Sequence, residues 1–161
     1  MSMKLQLKDD KIYSPIKDKW LVLTPEERVR QEYICRLVNH YGFEIRQMAQ
    51  EVQVNNSHRG QGKARADIVV WKSASAKSNE DAATIVVECK AEHITIREED
   101  YFQGYNYASW AGADFFVTTN LKETRVFKVN KDKLPKYLGE IVDIPKAEEL
   151  TKAKKIKEIL S

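Results

Sequence analysis

Two apolar runs of strand length, Ala66-Asp67-Ile68-Val69-Val70-Trp71 and Thr84-Ile85-Val86-Val87-Glu88-Cys89-Lys90-Ala91, constrain this chain more than anything else in it. Successive side chains of a strand point to opposite faces, so Ile68, Val70, Ile85 and Val87 line one face, and Val69, Trp71 and Val86 the other. Strands apolar on both faces must be covered on both, which places this pair at the centre of a sheet. Residues 72–83 between them are rich in Ser, Ala, Asn and Lys without apolar periodicity and read as a flexible hairpin connection. In a symmetric hairpin Trp71 faces Thr84, Val69 faces Val86 and Asp67 faces Glu88. Opposed Cβ atoms on one face of such a pair lie about 4.5–5.5 Å apart.

Three side chains break the apolar rule at one end of this buried pair. Glu88 and Lys90 are two apart and point together while Cys89 points away, and Asp67 sits across from them. Violations of this kind concentrate at functional sites. Two acids against one base leave a net negative cluster, which a cation would balance; a buried ion-pair cluster at a sheet end is the structural alternative.

The remaining segments supply the frame. With 161 residues, 42% hydrophobic and 32% charged, the chain suits one globular domain with a real core. No run approaches the roughly 18 apolar residues of a membrane span, and the Met1-Ser2-Met3-Lys4 start lacks a signal-peptide apolar segment, so a cytoplasmic protein away from membranes is expected. Cys35 lies in a helical pattern and Cys89 in a core-like strand, which predicts two buried thiols rather than a disulfide. Neither has zinc-ligand spacing to His40, His58 or His93. The net charge of +3 neither requires nor opposes a nucleic-acid partner.

Residues 1–23 read as an N-terminal extension that packs on as a short strand or hairpin. Thr24-Pro25-Glu26-Glu27 is a helix start, with Thr24 as N-cap and Glu27 completing a capping box, and the helix runs to about Tyr41 before Gly42. Its inward stripe is Val29, Tyr33, Ile34, Leu37, Val38 and Tyr41. Arg30 falls near the middle of that stripe and Glu26 and Glu27 within or beside it, so the first turn aims acids and an Arg at the sheet. Glu27 is therefore either a cap alone or a site acid as well.

Phe43-Glu44-Ile45 and residues 51–54 suggest a strand broken around residues 48–50, or two short pieces. Residues 55–63 read as a turn, and Arg59, Lys63 and Arg65 either meet phosphate or are solvated. A helix is expected over about residues 96–111, with Tyr101, Tyr105, Ala108 and Ala111 on related turns and Gly112 as its stop. Gln103 and Tyr107, four apart, project from one face of it, as a functional pair or as surface residues. Residues 113–120 and 123–129 read as strands, and residues 146–160 as an amphipathic helix with a basic face, within a C-terminal helical extension from residue 131. Strand, hairpin, helix, strand implies the α/β (α+β) class, a mixed central sheet flanked by helices, with its core at residues 24–130.

Asp67, twenty intervening residues and then Glu88-Cys89-Lys90 resembles the D…(D/E)xK signature of the PD-(D/E)xK nucleases, with Ala66 where a loosely kept Pro often stands. Thr24-Pro25-Glu26-Glu27-Arg28-Val29-Arg30-Gln31 before it and Gln103-x-x-x-Tyr107 after it are similar to the N-terminal nuclease domain of type I restriction enzyme R subunits and its stand-alone relatives. The resemblance spans about residues 24–128 and implies a restriction-endonuclease-like fold and a metal-dependent DNA endonuclease of a restriction or defence system.

On that reading Asp67, Glu88 and the Cys89 backbone carbonyl bind Mg²⁺ (or Mn²⁺), Lys90 orients or deprotonates the attacking water, and Glu27 is an additional acid. Gln103, Tyr107 and Arg30 would meet substrate. DNA is the implied partner, with restriction-modification subunits or the remainder of a longer chain beside it. The helicase motifs of a complete R subunit have no counterpart here, so the chain is either a piece of a longer protein or a stand-alone relative. The alternative function is a catalytically idle nuclease-fold module for nucleic-acid binding or complex assembly.

Overall fold

The computed structural model describes residues 2–54, 64–129 and 139–152. The turn carrying His58, Arg59 and Lys63, and the C-terminal part of the last expected helix with Ala153, Ile156 and Leu160, lie outside the described residues. A six-stranded sheet forms the centre, in the order β4 (Met48–Val54), β5 (Ala64–Val70), β6 (Ile85–Cys89), β7 (Phe115–Thr119), β8 (Thr124–Lys128) and β9 (Gly139–Ile141). All neighbours are antiparallel except β6 and β7. A parallel pair needs a crossover, and α3 (Glu98–Trp110) provides it. The sheet is the mixed one that the order of elements predicts.

The expected hairpin register is present: Val69 pairs with Val86, flanked by Ile68–Val87 and Val70–Ile85. Each face is covered as the double apolar pattern requires. Ile68, Val70, Ile85 and Val87 join Val117 and Val126 beneath Val29, Tyr33, Ile34 and Leu37 of α1 (Pro25–Asn39). Val69 and Val86 join Phe116 and Phe127 beneath Tyr105 and Ala108 of α3. Fully burying a side chain such as Ile34 or Leu37 contributes about 1.5–3 kcal/mol, so the two layers hold the sheet from both sides.

Helix α1 starts as expected, the Thr24 hydroxyl accepting from Glu27 N–H at 3.0 Å. The second half of the capping box is absent, because Thr24 N–H donates to the Val22 carbonyl and the Glu27 carboxylate turns inward. The helix ends at Asn39, two residues short of Tyr41, and Gly42 at φ +79 reverses the chain as only Gly does without strain.

Further expectations need correction. Residues 43–45 are not a strand: a 3-10 turn spans Ile45–Gln47, and β4 runs through residues 48–50, where a break was expected. The connection between β5 and β6 contains α2 (Ala74–Ser78), capped by Ser73 and held to β4 by Lys77 Nζ donating to the Met48 carbonyl at 2.6 Å. The N-terminal extension is a three-stranded meander, β1 (Leu7–Lys8), β2 (Lys11–Ser14) and β3 (Lys19–Val22), seated by the buried Ile12 and Ser14.

Residues beyond 130 are not the purely helical extension expected: β9 adds a strand to the sheet, Ile144 is buried in the α1 layer, and Ala147 N–H donates to the Tyr41 carbonyl at 2.8 Å. Both cysteines are free, but only Cys89 is buried as expected; Cys35 is half-buried. Among the described residues no helix is long and apolar enough to cross a membrane.

Candidate functional site

The predicted trio gathers where β5 and β6 part. Their ladder stops at Ile68–Val87, one residue short of Asp67 and Glu88. Asp67 is also absent from the β4–β5 ladder, although Ile68–Gln50 and Ala66–Val52 pair on either side of it. Its opposite number, Glu51, has φ +56, a left-handed conformation uncommon outside Gly and Asn. Released from both ladders, Asp67 turns its carboxylate onto β6, and Oδ2 accepts from Cys89 N–H at 2.7 Å.

Glu88 and Lys90 do point together: Lys90 Nζ lies 3.1 Å from Glu88 Oε1 and 3.9 Å from Asp100 Oδ1. Cys89 points the other way, into the α1 layer. Glu88 Oε2 is buried with no hydrogen-bond partner among the described residues. It abuts α3 at Gly104, where a Cβ would come within 2.4 Å of it.

Burial raises the Glu88 pKa above the ordinary carboxylate range, with Lys90 only partly offsetting it. Burial works against the charge of Lys90, but Glu88, Asp100 and Asp67 outweigh it and raise its pKa, so the ammonium holds its proton.

The net negative charge expected of this cluster is balanced by cations of the chain itself. Glu88 has Lys90, and Asp67 has Arg30, whose Nη2 sits 2.9 Å from Asp67 Oδ1. Arg30 Nη1 meets Glu27 Oε1 at 2.6 Å and Glu51 Oε1 at 3.0 Å, and Nη2 lies 3.5 Å from Glu26 Oε1. With 6% of its surface exposed, Arg30 faces acids rather than the substrate contact expected of it.

Among the described residues Glu27 reaches the trio through Arg30, its other oxygen accepting from Gln31 Nε2 at 3.0 Å. Its neighbour Glu26 stands on the solvent side. The Glu26 pKa is raised by partial burial and then by the Asp67 charge, with Arg30 and Lys90 opposing.

Gln103 and Tyr107 do form a pair, with Gln103 Nε2 donating to the Tyr107 hydroxyl at 3.0 Å. Gln103 lines a cleft of about 580 Å³ together with Lys90, His93, Arg97 and Asp100, which joins Gln103 to the Lys90 end of the site. Sequence reasoning passed over Glu51, Asp100 and Gly104. Only Gly104 leaves a visible mark, since Gly in a helix interior costs about 1 kcal/mol relative to Ala and needs a compensating close approach.

The donor set matches a hard divalent cation in kind: two carboxylates at a strand end, one with an unpartnered oxygen and a pKa raised by burial. Among the described residues no cluster of three or more His, Cys, Asp or Glu side chains is arranged to hold a metal, so a cation here would draw on two carboxylates and backbone or water oxygens. No curated protein and no solved structure matches the chain. The family described as type I restriction enzyme R protein N terminus (HSDR_N) matches residues 25–145, a span that takes in α1, every strand of the central sheet and the whole site, and the chain belongs to that family.

Proposed function

We propose that this chain is a metal-dependent DNA endonuclease domain of a type I-like restriction system. The observation that carries the reading is the convergence of Asp67, Glu88 and Lys90 where β5 and β6 part, in a chain of the restriction R-protein family. Asp67, Glu88 and the Cys89 carbonyl would hold Mg²⁺ or Mn²⁺, which when bound makes water nucleophilic and offsets charge on the leaving oxygen.

Lys90, 3.1 Å from Glu88, would orient or deprotonate the attacking water and stabilise the charged transition state. The Tyr107 hydroxyl already accepts from Gln103, which leaves its own proton to donate to a phosphate or water and the Gln103 carbonyl to accept from a water. Glu27 contributes through Arg30.

Mg²⁺- or Mn²⁺-dependent nicking of plasmid DNA is expected, lost in Asp67→Ala and in Lys90→Ala; cleavage that persists in both variants refutes the site. A second reading, an idle module that binds DNA or assembles with partners, draws support from the ion pairs: each carboxylate already has a cation of the chain's own. DNA retention without cleavage in any divalent ion would favour it.

A further inference from the structure

We propose that Arg30 is a positioning residue that sets the Asp67 carboxylate, and that the N-terminal meander sets Arg30 through a buried chain of side chains. This rests on Asp67 being a site carboxylate, as argued above, and adds how it is held. Every link is present. The Ser14 hydroxyl of β2 donates to Gln50 Oε1 at 2.6 Å, and Gln31 Nε2 donates to the same oxygen at 3.1 Å. Gln31 Nε2 also donates to Glu27 Oε2 at 3.0 Å, while Glu27 Oε1 accepts from Arg30 Nη1 at 2.6 Å. Arg30 Nη2 then closes on Asp67 Oδ1 at 2.9 Å. Ser14, Gln31, Gln50, Glu27 and Arg30 are all buried.

A second arm joins the same two points from the side. Lys17, in the β2–β3 turn, and Arg30 each take one oxygen of Glu51, the β4 residue at φ +56 opposite Asp67. An unfavourable backbone conformation persists only where its surroundings over-determine it, and here Lys17 and Arg30 hold one carboxylate while Arg65 stands 3.8 Å from it. A planar guanidinium suits this place as an ammonium does not, because its fork addresses Glu27 and Glu51 with one nitrogen and Asp67 with the other. Asp67 is thereby left one defined orientation, with its second oxygen on Cys89 N–H.

That amide is the probe. In the ¹⁵N-labelled full chain, Arg30→Lys keeps a cation among the acids, so the fold is retained while the fork is lost. The Cys89 amide proton is expected to move toward a weaker hydrogen bond in Arg30→Lys and, less far, in Ser14→Ala. Both should move it in the direction that Asp67→Asn does. Mn²⁺ affinity, read from paramagnetic broadening of the Cys89 and Lys90 amides, is expected to fall about 10–100-fold in Arg30→Lys, the usual cost of losing an outer-shell partner.

A folded Arg30→Lys variant with its Cys89 amide at the wild-type position overturns the proposal. So does tighter Mn²⁺ binding, which would make Arg30 a competitor for Asp67 rather than its support. Absence of Mn²⁺ broadening in the wild type counts against the metal reading alone, and the amide shift still decides the role of Arg30.

Discussion

Gly104→Ala sets two effects of known sign against each other, and the structure decides between them. In an ordinary helix interior the change is favourable by about 1 kcal/mol, since Gly gives up more backbone freedom than Ala. Here the added Cβ would lie 2.2 Å and 2.6 Å from two atoms of the Phe116 ring and 2.4 Å from Glu88 Oε2. Phe116 is fully buried and stacked on Phe127 at 6.0 Å, so its ring has no space to retreat into. Glu88 is tethered by Lys90. Forcing an extra carbon into a packed core costs about 1–3 kcal/mol, and three contacts this close put the change in the upper half of that range.

The net expectation is a loss of about 1–2 kcal/mol, or a fall in Tm of about 2–8 °C for a chain of this size. Melting of Gly104→Ala beside wild type and Ser109→Ala, a change in the same helix expected to hold or raise Tm, reads this directly. A Gly104→Ala protein that melts at or above wild type would refute the close approach of α3 to Glu88.

Other expectations follow from single contacts. Thr24→Ala removes the hydroxyl that accepts from Glu27 N–H, and because Glu27 gives nothing back to the cap, the loss should be about 1 kcal/mol, measured as a lower denaturation midpoint. Tyr33→Phe removes a buried hydroxyl without a hydrogen-bond partner among the described residues, so stability should hold or rise by about 1 kcal/mol; a clear fall would reveal a partner. The Lys17 hydrogen bond, aided by Arg30 and Arg65, lowers the Glu51 pKa. A depressed carboxylate stabilises the fold above its unfolded pKa and loses that contribution as pH falls through the folded value. Glu51→Gln should therefore flatten the acid limb of the stability–pH curve below about pH 4.5, and an unchanged limb would remove Glu51 from the ion-pair group.

The fold was readable where a pattern is enforced locally. Two apolar faces on residues 68–70 and 85–87 require a covered central pair, and the α1 and α3 layers cover it. Thr24, Pro25 and Gly42 bracket a helix by backbone chemistry alone, and the structure moves its end by two residues. What could not be read is set from a distance. Phe43 and Ile45 alternate like a strand, yet Phe43 is buried under α1 and the chain turns instead of extending. Helix α2 shows no periodicity because five residues cannot, and its tether to β4 lies 29 residues away in sequence. Asp9 and Asp18, both at positive φ, turn the first residues into three strands rather than one hairpin.

The site divides along the same line. Asp67, Glu88 and Lys90 could be named because strand periodicity and the hairpin register bring them together, whereas the partners of Arg30 could not, because they come from three elements. Glu27 is on its own helix, but Glu51 lies on β4 and Asp67 on β5. The structure then adds a sign that no motif contains. Glu51 adopts a conformation few side chains tolerate, Asp67 leaves both ladders, Gly104 weakens the interior of a helix, and Glu88 buries an oxygen without a partner. Each departure costs stability, and each lies on a different element. All four nonetheless meet Asp67 or Glu88, directly or through Arg30. Other costly features lie elsewhere in the fold, the positive φ of Asp9, Asp18, Glu80 and Leu121 and the Tyr33 hydroxyl among them, but these four adjoin the two carboxylates on which the proposed site depends.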